Sequence, residues 1–444
     1  MLRRAFLASL PLAFDAAGAS PGNWPGFRGP DATGVSGDDP RLPERWSATE
    51  NILWKTQIQG AGWSSPIVWG NRVFVTAAAG ERKKEAVQRG FYDAPQNPQP
   101  PKDLHHWDVF ALDFETGRIV WRTEVHRGVP NTPRHPKNSY ASETPVTDGA
   151  FIYAHFGNLG AYCLDWKGRI VWSKKWPPHA TVGGWGTASS PLLDQERLYI
   201  LDDNAEASNL LALDKKTGRE IWRVVRHEQG SWATPYIWRN HHRTEIVVSV
   251  TNKVQSYDWS GQVLWELRGT SHNKIASPFS AHGLLYISAA YGPVYAIRPG
   301  ASGDISLAKG ESSNGAVAWS LAQGGSYTTS PLVYGDYYYT LHDRGFLTCH
   351  EATTGREVYG KQRIDREAGE FTSSPWAYNG RLFCLSEAGD TFVVAAGPEF
   401  NVLRKNSLEE FTMATPAIAQ GSLILRTESS LFRIGKTGAE TQQP

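Results

Sequence analysis

Short apolar runs separated by polar turns recur along the chain, and two stretches are almost the same string. Residues 110–121 read FALDFETGRIVW, and residues 211–222 read LALDKKTGREIW. In each string an apolar run ends in Asp, a polar turn follows, and a second run ends in tryptophan. Runs of this length, bounded by turn residues, favour β-strands. Asp can bond its own turn amides and Gly supplies a positive φ, so the pattern predicts a repeated β-hairpin.

A second marker, Ser or Thr followed by Pro and a β-rich run, places these hairpins in a longer unit. The marker occurs eight times, at intervals of 41 to 53 residues after a first interval of 79 residues. A period in the low forties with four short strands per unit is typical of a β-propeller blade. We therefore predict an all-β, eight-bladed β-propeller of four-stranded antiparallel blades. The eight hydroxyl residues of the markers are Ser65, Thr144, Ser190, Thr234, Ser277, Ser330, Ser374 and Thr415.

The third unit illustrates all four strands, named A to D in chain order. They are predicted at SSPLLD (189–194), RLYILDD (197–203), NLLALD (209–214) and REIWRVV (219–225). Strand D is the outer strand, and a large ring there can cover the junction with the neighbouring blade. The Asp, Gly and Trp of the motif are therefore expected to be structural. The outer-strand tryptophans are Trp121, Trp172, Trp222 and Trp265.

The last unit stops after its third strand, SLFRIG (430–435). The stretch NILWKTQI (51–58), just before the first marker, resembles a tryptophan-bearing strand D. We expect this N-terminal strand to complete the last blade and close the ring, which removes exposed sheet edges. The predicted organisation is a Gly/Pro-rich lead (20–50), one propeller domain (51–436) and a short tail (437–444).

The N-terminus has the pattern of a targeting segment. Two arginines precede an apolar stretch (5–14), and Ala17-Gly18-Ala19 fits a small-residue cleavage site. A signal peptide is expected at 1–19, either an ordinary Sec signal or a twin-arginine signal, since RRAFL also resembles the latter. The mature protein is then periplasmic or secreted. The first cysteine is Cys163, so this leader offers no cysteine for lipidation.

Composition removes several classes of function. The chain carries 45 basic and 44 acidic residues, so no net field favours a nucleic acid or an anionic membrane. No apolar run approaches the ~20 residues that a membrane span requires. The three cysteines, Cys163, Cys349 and Cys384, are not adjacent in sequence and are expected to be buried structural thiols. No spacing of histidines or cysteines matches a zinc site, and no metal ligands are predicted.

Candidate binding residues stand just before the markers, at the crossings from strand D of one blade to strand A of the next. In a propeller these crossings rim the mouth of the central channel. Rings and hydroxyls there would make a funnel suited to a flat or sugar-like ligand or an extended peptide. The alternative is that the rings plug the channel and the hydroxyls bond neighbouring backbone. The aromatic residues are Trp63, Tyr140, Trp185, Trp232, Tyr327, Phe371 and Phe411.

Two irregular stretches add polar candidates. Residues 79–107 form a charged and then Pro-rich insertion in the B–C connection of the first blade, and residues 126–140 form the next blade connection. Long excursions of this kind are often functional, so a lid or an anion-contacting loop is one interpretation and a solvated decoration the other. In the fifth unit Arg298 replaces the turn Asp and is a further candidate. The polar cluster in the second stretch is Arg134, His135, Lys137 and Asn138.

Tandem ALDxxTGxxxW units resemble the PQQ-like (pyrroloquinoline-quinone-type) β-propeller repeat family, over nearly the whole mature chain. NWPGFRGPDATGVS (23–36), HPKNSYASETPVTDG (135–149) and GPEFNVLRKNSLEE (397–410) further resemble its exported bacterial PQQ-binding-like subgroup. In quinoproteins of this family the quinone lies between a tryptophan and a disulfide of adjacent cysteines, beside calcium and a catalytic Asp. This chain has no adjacent cysteines and no matching Asp, although Trp185 or Trp232 could provide a stacking floor.

Two functions follow from the sequence. The first is an exported non-catalytic propeller, a monomer with no cofactor, that binds a protein, peptide or glycan ligand on its funnel face. The second, which rests on the resemblance alone, is a PQQ-dependent oxidoreductase with the quinone and calcium in the central channel. The family also includes an outer-membrane assembly scaffold, a reading weakened by the absent lipidation cysteine. No catalytic residue is assigned.

Overall fold

Eight β-sheets follow one another along the chain in the computed structural model, which describes residues 22–81, 98–270 and 275–437. The expected signal peptide (1–19) and residues 82–97 of the expected insertion lie outside the described residues. Innermost strands of neighbouring sheets contact one another, as the blades of a propeller do. The all-β, eight-bladed architecture is therefore confirmed.

The strands of each blade pair antiparallel in the order A-B-C-D. Blades 1 and 2 contain β2 (Ile67–Trp69), β3 (Arg72–Gly80), β4 (His105–Asp113), β5 (Ile119–Gly128), β6 (Val146–Thr147), β7 (Phe151–His155), β8 (Ala161–Asp165) and β9 (Ile170–Lys174). Blades 3 and 4 contain β10 (Leu192–Asp194), β11 (Arg197–Asp202), β12 (Asn209–Asp214), β13 (Glu220–Val225), β14 (Tyr236–Arg239), β15 (Thr244–Val250), β16 (Lys253–Tyr257) and β17 (Val263–Arg268).

The second half of the ring repeats this arrangement. Blades 5 and 6 contain β18 (Phe279–Ala281), β19 (Leu284–Ser288), β20 (Val294–Ile297), β22 (Val317–Leu321), β23 (Leu332–Tyr334), β24 (Tyr337–His342), β25 (Phe346–Glu351) and β26 (Glu357–Arg363). Blades 7 and 8 contain β27 (Trp376–Tyr378), β28 (Arg381–Leu385), β29 (Asp390–Ala395), β30 (Val402–Ser407), β31 (Ala417–Ala419), β32 (Ser422–Arg426), β33 (Ser430–Ile434) and β1 (Ile52–Gln57).

Strand β1 is the outer strand of blade 8, whose other three strands, β31 to β33, come from the end of the described chain. It pairs antiparallel with β33, from Ile52 opposite Ile434 to Gln57 opposite Ser430. The sheet order is β1-β33-β32-β31, so the first long strand of the described chain covers the edge of the last blade.

Two departures from the repeat concern connections. Blade 4 has a fifth strand, β21 (Gly303–Asp304), which pairs parallel with β17. This strand comes from the long C–D connection of blade 5, which is long enough to fold back onto the neighbouring blade. In blade 1, β3 extends to Gly80 and β4 begins at His105, so the connection is 81–104 and shorter than the expected 79–107.

The motif tryptophans join neighbouring blades. The Trp222 indole N–H donates to the Trp259 carbonyl oxygen of the next blade at 2.8 Å, and Trp172 donates to the Lys215 carbonyl oxygen at 2.8 Å. The ring of Trp172 also covers Gly218 in the next C–D turn, where φ is +71° and an added Cβ would lie 2.6 Å from the indole. The structural role predicted for Gly and Trp is confirmed.

The N-terminal lead covers the face that carries the A–B and C–D turns. Trp24 pairs with Val68 of blade 1, and Val35 pairs with Ala377 of blade 7. Between them the buried Arg28 guanidinium donates to the Pro331 carbonyl oxygen at 2.7 Å. Burial lowers the pKa of Arg28 to about 9. The lead thus closes the propeller on the side opposite the D–A crossings.

The described residues contain only two helices, both single 3₁₀ turns (Gly157–Leu159 and Val182–Gly184), and neither has the length to cross a bilayer. The three cysteines are buried and unpaired, and burial raises the pKa of each thiol to about 12. The prediction of buried structural thiols is confirmed.

Candidate functional site: the funnel

The marker hydroxyls form a chain of hydrogen bonds around the centre of the ring. Seven of the eight accept the backbone N–H of the corresponding residue one blade earlier, so these hydroxyls serve the inter-blade contacts that the plugged-channel alternative predicted. The buried Ser65 Oγ has no partner, and the series is open between blades 8 and 1. The bonds run from Ser65 N–H to Thr144 (3.0 Å), Thr144 to Ser190 (2.9 Å), Ser190 to Thr234 (3.1 Å), Thr234 to Ser277 (3.1 Å), Ser277 to Ser330 (3.0 Å), Ser330 to Ser374 (2.9 Å) and Ser374 to Thr415 (3.0 Å).

Above this series lies a cavity of about 450 Å³, here called the funnel cavity, which all eight marker hydroxyl residues line. Its volume is within the range of small-ligand sites. The structure brings eight of the predicted site residues together in its wall. They are Trp63, His135, Lys137, Asn138, Trp185, Trp232, Tyr327 and Phe371.

Hydrogen bonds fix the orientation of the tryptophans. The Trp232 indole N–H donates to the Gly186 carbonyl oxygen at 2.9 Å, and the Trp63 indole N–H donates to the Lys137 carbonyl oxygen at 2.9 Å. Trp185 packs on Trp232 with ring centroids 5.7 Å apart and planes inclined by 33°. The cavity therefore presents rings whose positions are set before any ligand arrives.

Residues 129–140, here called the strap, lie at the funnel, where His135, Lys137 and Asn138 line the cavity. The His135 N–H donates to the Trp185 carbonyl oxygen at 3.1 Å, and Asn138 Nδ2 donates to the same oxygen at 2.9 Å. Lys137 reaches blade 7, where its Nζ lies 2.5 Å from Glu387 Oε1. Burial, followed by the charges of Lys137 and Arg134, lowers the pKa of His135, which favours its neutral form at pH 7.

The wall of the funnel cavity is acidic, a feature that the sequence reasoning missed. Asp343, Glu370 and Glu387 line the funnel cavity. The Asp343 carboxylate accepts the backbone N–H groups of Tyr327 (2.9 Å) and Thr328 (2.8 Å), so it holds the rim in place. Glu387 differs, because its Oε1 accepts the Lys137 ammonium and its buried Oε2 has no partner.

A signal for two of these acids, Asp343 and Glu387, exists in the B–C turns, which share a face with the D–A crossings. Asp343-Arg-Gly and Glu387-Ala-Gly place an acid two residues before a turn glycine in blades 6 and 7, where blade 5 has Ala290-Tyr-Gly. Comparison of the B–C turns, in addition to the crossings and C–D turns, would have found them.

Other predicted candidates lie outside the funnel cavity. Tyr140 packs on Trp107 with ring centroids 6.1 Å apart, and the Arg134 guanidinium stacks over Tyr140 beside blade 1. Phe411 is buried and meets the edge of Trp63. Arg298 donates to the Asn314 carbonyl oxygen at 2.9 Å, within the C–D connection of blade 5 on the opposite face. Its contacts there are those of a loop-ordering residue.

The family model described as outer membrane protein assembly factor BamB, of the PQQ type, matches residues 106–359, more than half of the chain. The chain belongs to this family. A quinoprotein ethanol dehydrogenase of Pseudomonas putida is 30% identical to this propeller over 185 residues, or 36% of the chain. An outer membrane protein assembly factor BamB of Alkalilimnicola ehrlichii is 25% identical over 182 residues, or 40% of the chain.

These matches are partial. This PQQ-type propeller spans 27% and 37% of the length of those two curated relatives. The solved quinohemoprotein alcohol dehydrogenase of Comamonas testosteroni aligns with a TM-score of 0.63 at 11% identity, and covers 95% of this chain and 81% of its own. Identity at that level shows a shared fold.

The residues of the funnel cavity do not fit PQQ. The quinone is a tricarboxylate, whereas the described cavity wall has three acidic residues, one lysine and no arginine. The cysteines are buried in separate strands, in β8, β25 and β28, so none can pair with a neighbour beneath a quinone. The described residues contain no group of three or more His, Cys, Asp or Glu that could hold a metal ion.

Proposed function

We propose that this chain is an exported, non-catalytic β-propeller that binds a protein segment, peptide or glycan in its funnel. The observation that carries the proposal is the cavity of about 450 Å³, in which hydrogen bonds within the protein fix the rings of Trp63 and Trp232. Rings fixed in advance reduce the entropy cost of binding and suit sugar faces or extended peptides. Export is supported by the leader pattern of residues 1–19.

The family supports a binding role. Its model is described as an assembly factor, and one relative has the same name. No pair of acid and base, activated nucleophile or metal site is needed to account for the residues that line the funnel. The expected monomer remains part of this proposal.

The second function, a PQQ-dependent oxidoreductase, is favoured by the match of 30% to a quinoprotein ethanol dehydrogenase. The acidic wall and the separated cysteines weigh against it. The purified exported protein is mixed with PQQ and Ca²⁺, and cofactor absorbance and alcohol-dependent dye reduction are measured. Stoichiometric binding with turnover would overturn the binding proposal in favour of this one.

The binding proposal is tested with Trp185→Ala and Trp232→Ala. Each is expected to abolish the quenching of tryptophan fluorescence by a peptide or glycan ligand, while the thermal transition stays in place. Trp222→Ala is the matched control, because its indole joins blades 3 and 4 away from the funnel cavity. It is expected to lower the free energy of unfolding by about 3–5 kcal/mol and to leave ligand preference unchanged. Unfolding of Trp185→Ala would contradict the site.

A further inference from the structure

The funnel cavity is an acidic aromatic site. Asp343, Glu370 and Glu387 line it, and Lys137 is the one Lys or Arg among its described lining residues. His135 adds little positive charge near pH 7, because burial lowers its pKa. A cavity with excess carboxylate and several aromatic faces attracts organic cations, since ring faces and carboxylates both stabilise a positive charge.

Glu387 gives the excess carboxylate of the cavity a defined position. The residue is 3% exposed, and its Oε1 accepts hydrogen bonds from Lys137 Nζ at 2.5 Å and from Thr372 Oγ1 at 2.6 Å. Its Oε2 is buried without a hydrogen-bond partner. An ionised carboxylate accepts on both oxygens, and a buried unsatisfied acceptor is costly. One half of this carboxylate thus lacks a donor.

The strap shows which donor fits. Lys137 enters from the mouth and places an ammonium on Glu387, and its own backbone carbonyl is held by the Trp63 indole. Phe371, a second ring of the cavity, precedes the Thr372 that bonds the same carboxylate. An ammonium on an alkyl stem therefore fits against a buried carboxylate in a cavity that aromatic rings also line.

We propose that the funnel binds a ligand through an alkylammonium group that docks on Glu387 beside Lys137 or in its place. The inference rests on the proposed binding function and narrows it to one chemistry, which a lysine side chain or a free diamine can supply. Because the Lys137 ammonium bonds Oε1 of the same carboxylate, it repels a ligand cation that docks beside it and competes with one that takes its place. Removal of the Lys137 ammonium frees Glu387 for the ligand.

The probes are N-acetyl-lysine amide, its neutral analogue N-acetyl-norleucine amide, and cadaverine, each titrated by calorimetry into the full chain. The lysine probe and cadaverine are expected to bind, and the norleucine probe is not. Lys137→Ala is expected to tighten binding of the charged probes. Glu387→Gln is expected to weaken it about tenfold or more, the value of one charge-assisted hydrogen bond.

A matched pair of variants lies on the same face of the propeller. Lys55 Nζ lies 2.5 Å from Glu410 Oε1, the same separation as in the strap pair, and neither residue lines the funnel cavity. Glu410→Gln and Lys55→Ala are therefore expected to leave probe affinity unchanged. Thermal unfolding of every variant shows whether it is folded.

Tighter binding of the lysine probe assigns the site to peptides, and tighter binding of cadaverine assigns it to free diamines. Both results support the proposal that the site binds an alkylammonium group. Equal affinity of the norleucine probe, or no loss in folded Glu387→Gln, overturns the ammonium proposal. So does the absence of probe binding to both wild type and Lys137→Ala. The binding function itself fails separately, if no peptide or glycan gives quenching that depends on Trp185.

Discussion

Glu143 shows how one residue departs from the repeat at the edge of the funnel. It stands immediately before the marker hydroxyl of blade 2, where the other seven units have Ser, Thr or Ala. The side chain is buried, and the Thr187 hydroxyl donates to its Oε1 at 2.6 Å. Burial outweighs this bond and raises the pKa of Glu143 to about 7. Folding therefore favours the protonated carboxyl.

Glu143 should make the stability of the protein depend on pH. The folded pKa lies above the usual value of 4.5, so the folded state binds the proton more tightly than the unfolded chain. The free energy of unfolding must then fall as pH rises between about 4.5 and 7, by up to about 3 kcal/mol. Glu143→Gln should remove this loss. In urea melts, the stability of the variant relative to wild type should therefore be greater at pH 8 than at pH 4.5.

Glu410 supplies the control of opposite sign. Burial raises the pKa of Glu410. Hydrogen bonds from Lys55 and Thr427, together with the charge of Lys55, lower it by more, so the folded pKa lies below the usual value. Its contribution is present above the unfolded pKa and is lost as the pH falls through the folded pKa. Glu410→Gln should therefore lose more stability at pH 8 than at acidic pH. A Glu143→Gln profile parallel to wild type would contradict the prediction.

At the scale of elements, the D–A crossings are both the rim of the funnel and the inner belt of the propeller. Seven of their hydroxyls accept backbone N–H groups from the preceding blade, and five of their seven aromatic rings line the cavity. One short segment thus places its marker residue at the blade junction and, in five of the crossings, the aromatic residue before it in the cavity wall. This division explains why hydroxyls recur in every unit, whereas the rings vary.

The marker hydroxyls should differ in their contribution to stability. Ser190 Oγ accepts the Thr144 N–H at 2.9 Å, whereas Ser65 Oγ has no partner. Ser190→Ala is expected to lower the free energy of unfolding by about 1–2 kcal/mol, because it leaves a buried N–H unsatisfied. Ser65→Ala is expected to change it by less than about 0.5 kcal/mol. Denaturant titration measures both, and equal losses would argue against the open junction.

At the scale of the molecule, the ring is closed at blade 8, where strands from the two ends of the described chain pair. Strand β1 pairs with β33, and the Trp54 indole N–H donates to the Phe114 carbonyl oxygen of blade 1 at 2.8 Å. The same strand therefore joins blade 8 to blade 1. We propose on this basis that residues 51–436 unfold as one cooperative domain, because the loss of one junction opens the whole ring.

Trp54→Ala tests that cooperativity. The ring is 8% exposed, so its removal should cost about 3–5 kcal/mol and lower the single melting transition as a whole. Leu53, its neighbour in β1, is 39% exposed, and Leu53→Ala should cost less than about 1 kcal/mol. Calorimetry distinguishes the outcomes: a separate low-temperature transition in Trp54→Ala would show that the blades unfold independently.

The fold could be predicted from the sequence because each unit repeats local chemistry. The Asp and Gly of a C–D turn specify a hairpin, and the spacing of the Ser/Thr-Pro markers counts the blades. The structural roles of Gly218 and Trp222 followed from the same pattern, since the tryptophan of each unit contacts the C–D turn of the next unit. The aromatic rim was also predictable, because crossings in a propeller converge on the channel.

The composition of the funnel was decided only by the tertiary structure. Lys137 and Glu387 are 250 residues apart, and only ring closure brings the strap of blade 1 to a turn of blade 7. Tyr140 bears the same kind of side chain as the lining residue Tyr327 but packs on Trp107, a contact that no spacing reveals. Sequence periodicity determines local hairpins and their number, whereas contacts across the ring depend on where each irregular connection folds.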